Sequence, residues 1–351
     1  MDWRNHRIGR MDRSGPNLAP REKTTRADGA VEIAGSDLAR VRHSPPTAQR
    51  VIHMKLVTFK AGPEQLVGAV EGEDIVVLDI PNMRALFEKG SPVRDVAERL
   101  KTTRRFKLKD VALQAPIIPK KFYHTAGNYA EHAQEGDRSN WVAAIKPWIV
   151  FFQNIDAIIG PEASVIYPEH LTKELDYEIE LSIVIGKAGK HISEADAADY
   201  IGGYIIFNDI TARDIQRREM ESANFSFSKS IDTFCPIGPW IVTSDEIPDP
   251  YNLAIELRVN GEKRQISNTS HMSVTLPQLI SKFSPTGFSA GDILTTGTVS
   301  GVAAFSANPQ AWYLKPGDVI EAEIEKIGML RNRVISWNDA YGVAPPPFQK
   351  F

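Results

Sequence analysis

From Met54 onward the apolar residues of this chain fall mostly in short runs bounded by turn residues, a strand-like pattern. Met54-Lys55-Leu56-Val57-Thr58-Phe59 opens as a strand. Leu66-Val67-Gly68-Ala69-Val70 and Asp74-Ile75-Val76-Val77-Leu78 flank the turn Glu71-Gly72-Glu73 as a hairpin. Residues 82–89 and 93–101 have helical spacing, and Pro116-Ile117-Ile118-Pro119 connects them to the main body. There, strands are predicted at 149–152, 181–185, 201–207, 240–243, 254–259 and 319–324, and helices at 194–200, 213–220 and 276–283. Asn260-Gly261-Glu262, Ala290-Gly291-Asp292 and Lys315-Pro316-Gly317-Asp318 supply turns. Strands outnumber helices and no βα alternation persists, which predicts an α+β, predominantly β fold.

The pattern also divides the chain. Residues 1–53 show neither period and are rich in Arg, Ser, Thr and Pro, so we expect a disordered extension. Its acids, among them Asp2, Asp12 and Glu22, argue against an organelle transit peptide. A small N-terminal domain over 54–118, a catalytic domain over 119–340 and a tail over 341–351 complete the expected organisation.

The main candidate for chemistry lies where acids interrupt the apolar pattern. In Asp176-Tyr177-Glu178-Ile179-Glu180-Leu181, read as a strand, Glu178 and Glu180 share a face. Like charges so placed are costly to bury without a cation between them. Asn208-Asp209, at the end of the strand over 201–207, offers a third carboxylate in Asp209. Such a set, with no Cys or His cluster nearby, suits Mg2+ or Mn2+, with Ca2+ also compatible, rather than zinc. The same residues are compatible with a solvated edge strand and a plain turn.

Composition narrows the classes. The 351 residues carry a formal charge of -3 and no basic stripe, so nucleic acid is not an expected partner. No apolar run approaches the roughly 18 residues of a membrane span, and the expected location is the cytosol. The single cysteine, Cys235, excludes an intramolecular disulfide and reads as a buried filler beside Phe234, Pro236 and Ile237.

Further candidates flank the acids. His132 and Glu135 are three residues apart, on one face if helical, where the carboxylate can orient and charge-stabilise the imidazole. A solvated helix face explains the same spacing. Gly136-Asp137 then reads as a helix stop leading to a loop. Arg213, Gln216 and Lys229 follow Asp209 and suit an oxo-acid held beside a metal, although some of the neighbouring charges belong to the surface. Thr298, in Thr295-Thr296-Gly297-Thr298, adds a hydroxyl in what is equally a structural turn.

Taken in order, these pieces resemble the fumarylacetoacetate hydrolase family over roughly 121–335. The matching segments are Gly127-Asn128-Tyr129-Ala130-Glu131-His132-Ala133-Gln134-Glu135, Asp176-Tyr177-Glu178-Ile179-Glu180, Gly202-Gly203-Tyr204, Asn208-Asp209-Ile210-Thr211-Ala212-Arg213, Lys229-Ser230, Gly238-Pro239-Trp240, Val259-Asn260-Gly261-Glu262 and Gly291-Asp292-Ile293-Leu294-Thr295-Thr296-Gly297-Thr298. The resemblance implies Glu178, Glu180 and Asp209 as ligands of Mg2+ or Mn2+, His132 and Glu135 as a water-activating lid dyad, and Lys229 as the cation near the metal. It implies Arg213, Gln216 and Thr298 on the substrate side. It further implies a β-roll or sandwich with a smaller N-terminal domain, usually homodimeric. Hydrolysis of a carbon–carbon bond in a small diketo- or oxo-carboxylate is then the first expectation. An isomerase or decarboxylase on a related oxo-acid is the alternative, and a non-catalytic metal- or carboxylate-binding protein the third reading. Two departures limit the inheritance: Gln153 stands where the family often has Lys, and Val299-Ser300-Gly301-Val302-Ala303 replaces the usual loop.

Overall fold

The computed structural model describes residues 54–138, 150–222, 224 and 226–348. The expected extension over 1–53 and the end of the tail, 349–351, lie outside the described residues.

Two sheets carry the fold. The larger runs in the order Lys101–Lys107, Asp74–Leu78, Glu64–Glu71, Lys55–Ala61, Cys235–Thr243, Ile201–Asn208, Ile179–Ile185, Ile293–Thr295, Phe122–Thr125 and Val150–Phe152. A second sheet of five strands runs Glu262–Asn268, Ala254–Val259, Val319–Ile324, Gly328–Ser336 and Ser164–Tyr167. The chain is sheet-dominated with a few short helices, the α+β, predominantly β arrangement that the pattern predicts. Lys55 and Leu56 pair antiparallel with Val242 and Ile241, so the strands of the 54–118 segment continue the large sheet of the body.

Burial explains the runs. Every residue of Ile179–Ile185 and of Ile201–Asn208 is buried. Strands covered on both faces read as continuous apolar segments. Ile179, Leu181, Ile183 and Ile185 join the core shared with the second sheet and the helix Leu276–Phe283. Val184, Ile205 and Phe207 pack on the other side with the helices Met83–Glu88 and Val93–Arg99. By alternation Glu180 and Ser182 lie on the Val184 face, so a carboxylate enters the second core.

Several local expectations need correction. Residues 194–200 form only a short 3-10 turn, Ala197–Tyr200, and Glu178 precedes its strand instead of lying within it. Gly136 and Asp137 do not stop a helix but belong to the helix Ala130–Arg138. Lys101 begins a strand where the spacing extends a helix; Lys101–Lys107, with sequence KTTRRFK, forms a sheet edge. An edge has one unpaired side and tolerates charges, so little apolar pattern marks it.

Candidate active site

The acids meet because of strand register. Ile179 pairs with Asn208, which places Glu178 and Asp209 side by side. The Asp209 amide donates to the Glu178 carbonyl at 2.8 Å, and the Glu178 amide donates to Asn208 Oδ1 at 3.0 Å. Glu180 lies one pleat further on, opposite Thr295-Thr296-Gly297. Its carboxylate accepts from Thr295 Oγ1 and, at 3.0 Å, from the Gly297 amide. Gly297 has φ +84, and a side chain there would press on the Thr125 carbonyl at 3.0 Å. Only glycine brings that amide close without strain.

A small cavity of about 30 Å3 is lined by His132, Glu178, Glu180, Arg213, Gln216, Lys229 and Thr298, together with His124, Ala126, Gly127, Gly297 and Phe305. Asp209 is fully buried beside it. Lys229 Nζ donates to Asp209 Oδ2, to Glu178 Oε2 at 2.8 Å and to Thr211 Oγ1 at 2.8 Å. Arg213 donates from Nε to Asp176 Oδ2 at 2.8 Å, from Nη2 to Glu178 Oε1 at 2.5 Å and from Nη1 to Gln216 Oε1 at 2.9 Å. Through three of its five N–H donors Arg213 neutralises and aims Glu178 while it also lines the cavity. Thr298 is similarly engaged: its hydroxyl donates to the Ile179 carbonyl at 2.9 Å and accepts from Gln265 Nε2 at 2.9 Å.

Sequence reasoning gave no place in the site to three participants, His124, Gln153 and Asp176. His124 Nε2 lies 2.9 Å from Glu180 Oε1 and 3.3 Å from Asp209 Oδ2, and its ring packs on Phe151 and Phe207. A single histidine thus joins a carboxylate set beside which the sequence shows no Cys or His cluster. Gln153 Nε2 donates to Asp209 Oδ1 at 2.9 Å, a neutral donor where the family often has a charge. Asp176 accepts from Arg213 and from the amides of Ala303 at 2.9 Å and Ala304 at 3.0 Å. His124 sits in a buried strand, Phe122–Thr125, with no spacing that singles it out; Asp176 is visible in the acidic run, but its partners are not.

The His132–Glu135 pair forms on one face of the helix Ala130–Arg138. Nδ1 and Oε2 are 3.6 Å apart, a charge contact beyond hydrogen-bond reach. The Glu135 carboxylate is held by the Gly301 amide at 3.1 and 3.0 Å, and the His132 ring packs against Phe305 with centroids 5.4 Å apart.

Electrostatics identify what else the site can hold. Burial raises the Glu180 carboxyl, and Glu178 adds to it, holding it at about 8. Burial likewise raises Asp209, with His124 and Lys229 opposing. Burial also acts to raise Glu178, but Arg213 and Lys229 outweigh it and hold this carboxyl below the ordinary range. The His124 imidazole is pushed down to about 4 by burial and stays neutral near pH 7. Lys229 is desolvated too, yet Asp209 and Glu178 keep it charged. Four buried carboxylates, Asp176, Glu178, Glu180 and Asp209, therefore face two fixed cations, Arg213 and Lys229. The remainder is two negative charges when all four are ionised. Ligand atoms of His124, Glu180 and Asp209 lie within 4.8 Å of one another, so the donor set fits a divalent ion in both charge and spacing.

Proton linkage makes this testable. Glu180 and Asp209 have folded-state values above their unfolded ones, so between about pH 5 and pH 8 the folded chain binds protons that the unfolded chain has released. Chelator-treated protein should lose stability across that window as pH rises. Glu178, already ionised in both states, adds no slope there. His124, held neutral in the fold, opposes the loss below about pH 6.5, so the loss is clearest from there to about pH 8. Added Mn2+ should raise the melting temperature by an increment that widens with pH. Melting curves with Mn2+ or with chelator between pH 5.5 and 8.5 check this, and a constant increment would remove Glu180 and Asp209 as ligands.

Comparisons with known proteins agree with this geometry. The family model described as "Fumarylacetoacetate (FAA) hydrolase C-terminal" matches residues 121–335. A Rattus norvegicus protein named "Oxaloacetate tautomerase Fahd2a, mitochondrial" is 37% identical over 314 residues, covering 86% of this chain and 97% of its own length. The corresponding Homo sapiens protein, "Oxaloacetate tautomerase FAHD2A, mitochondrial", is 36% identical over 296 residues, covering 80% and 92%. In both names "mitochondrial" describes those proteins. Among solved structures, the fumarylacetoacetate hydrolase of Exiguobacterium antarcticum is 32% identical with TM-score 0.69, covering 81% of this chain and 99% of that one. The 5-carboxymethyl-2-hydroxymuconate delta-isomerase of Mycobacterium smegmatis is 32% identical with TM-score 0.65, covering 81% and 100%. Motif order, fold and matched length thus converge, and the chain belongs to the fumarylacetoacetate hydrolase family.

Proposed function

We propose that this chain is an enzyme that interconverts the enol and keto forms of a small 2-oxo dicarboxylate, with oxaloacetate the first substrate to test. The carrying observation is the juxtaposition of a doubly negative, divalent-fitting donor set, His124 included, with a second imidazole, His132, that lines the same small cavity outside that set and makes no hydrogen bond through Nδ1 among the described residues. Moving a proton between an enol oxygen and the adjacent carbon needs an electrophile for the enolate and one acid–base group, and no attacking water.

His124, Glu180 and Asp209 would hold the ion, with Glu178 beside them. A bound divalent ion supplies charge stabilisation to the oxo and carboxylate oxygens of the substrate. Lys229 and Arg213 hold Glu178 ionised, and Lys229 and Gln153 fix the orientation of Asp209. His132 exchanges the carbon-bound proton, while Glu135 stabilises the imidazolium and is itself positioned by the Gly301 amide. The names of the rat and human relatives support this over carbon–carbon hydrolysis, the first expectation from sequence. Hydrolysis of a diketo acid stays as the second reading, favoured by the Exiguobacterium relative and by the maleylpyruvate hydrolase of Sphingobium, 28% identical with TM-score 0.64 over 81% of this chain and 100% of that one.

The test follows the ultraviolet absorbance of enol-oxaloacetate with purified protein, Mg2+ or Mn2+, and chelator. Metal-dependent loss of the enol signal, with solvent deuterium entering carbon 3, is the expected result. No acceleration, together with cleavage of an acylpyruvate that takes up labelled oxygen from water, would move the assignment to the hydrolase.

A further inference from the structure

We infer that Phe305 sets the length limit of the substrate, confining this site to short-chain 2-oxo acids. The inference rests on the proposed oxo-acid chemistry. Among the described residues lining the cavity, Phe305 is the one large apolar side chain; the others are polar or as small as Ala126, Gly127 and Gly297. A wall of charged and polar groups takes an oxo-carboxylate, and a single aromatic ring ends the space where an alkyl or acyl extension would run.

The ring is held from two directions. On the helix Ala130–Arg138 it packs on His132 and Gly136, four residues apart on one face. A Cβ built on Gly136 would lie 3.7 Å from the Phe305 ring, an ordinary contact that keeps the ring close to the helix backbone. On its own loop, the amides of Ala303 and Ala304 donate to the Asp176 carboxylate, which also accepts from Arg213. Gly301, at φ +100, donates to Glu135; a Cβ there would collide with the Arg264 carbonyl at 2.1 Å. Moving the loop outward would break charge-assisted hydrogen bonds in a buried setting, so the wall is stiff. This loop begins at Val299, where the sequence departs from the usual family pattern. A local device for substrate size therefore sits in the segment where the chain departs from that pattern.

The experiment measures binding by calorimetry to the full-length Mn2+-loaded protein and its Phe305→Ala and Phe305→Leu variants. Oxalate and 2,4-dioxo acids with methyl, propyl and pentyl ends serve as probes, and turnover is followed in parallel. Wild type should bind the pentyl acid more weakly than the methyl acid by at least about tenfold, within the range by which a pocket discriminates on size. Phe305→Ala should shrink that ratio to within about threefold, and Phe305→Leu should fall between. The leucine variant keeps most of the packing, so its profile reads specificity even if the alanine variant folds poorly. An identical chain-length profile in wild type and variants, or a flat wild-type profile, overturns the role of Phe305. Failure of oxalate to bind wild type overturns the oxo-acid reading and the inference with it, whereas oxalate binding with an unchanged profile overturns the inference alone.

Discussion

Asp209→Asn should lower Mn2+ affinity by about 100-fold or more and carry turnover down with it, because a fixed charge at the reacting centre is lost in a low-dielectric site. Asp209 is where the network converges: it accepts from Lys229 and from Gln153 and lies 3.3 Å from His124 Nε2. Asparagine keeps the shape but removes one of four carboxylates, so the two fixed cations no longer leave a remainder matching a divalent ion. Its amide would also set donors against the Gln153 and Lys229 donors. Breaking a buried pair costs about 3–5 kcal/mol, so Asp209→Glu, which keeps the charge, separates lost folding from lost metal. Calorimetric Mn2+ titration with circular dichroism on the same samples decides the matter. A folded Asp209→Asn variant that binds Mn2+ like wild type would dismantle the proposed site.

His132→Ala should reduce turnover by about 10²- to 10⁴-fold, the usual worth of a positioned general acid–base, while Mn2+ affinity stays within about twofold of wild type. The imidazole lines the cavity outside the His124, Glu180 and Asp209 set, and its neighbours include Glu135 and the Phe305 ring. Glu135→Gln should give a smaller loss in the same direction, since the amide still packs and still accepts from Gly301 but no longer stabilises an imidazolium. Exchange of deuterium into carbon 3 of oxaloacetate reports the step directly. Wild-type exchange in His132→Ala would assign the proton transfer to another group, and loss of Mn2+ binding would place His132 among the ligands instead.

Much of this site is legible in the amino-acid sequence. Glu178, Glu180 and Asp209 stand out because carboxylates within or at the ends of buried apolar strands demand an explanation, and the spacing of His132 and Glu135 survives as a helix face. The helix Leu276–Phe283 is readable from spacing alone; the capping box that Thr275 and Gln278 form at its start is seen in the folded chain. Other features are hidden for definite reasons. His124 sits in a four-residue buried strand with no period to mark it. Arg213 is legible as a cation near the acids, but sequence cannot show that it also bonds Asp176, Glu178 and Gln216. Gly136-Asp137 reads as a helix stop because a glycine's local preference is legible, whereas the Phe305 ring packed over it is not.

What the chain order carries unaided is the inventory: which segments favour strands, which acids and bases are present, and in what succession they come. Those properties depend on neighbours within a few residues, where periodicity and turn chemistry act. The partnerships belong to the folded state. Folding brings His124, Glu180 and Asp209 within reach of one another and sets Lys229 between Glu178 and Asp209. The charge and proton affinity of each group follow from burial and from partners distant in sequence, because electrostatic energies in a low-dielectric interior are set by distances in space.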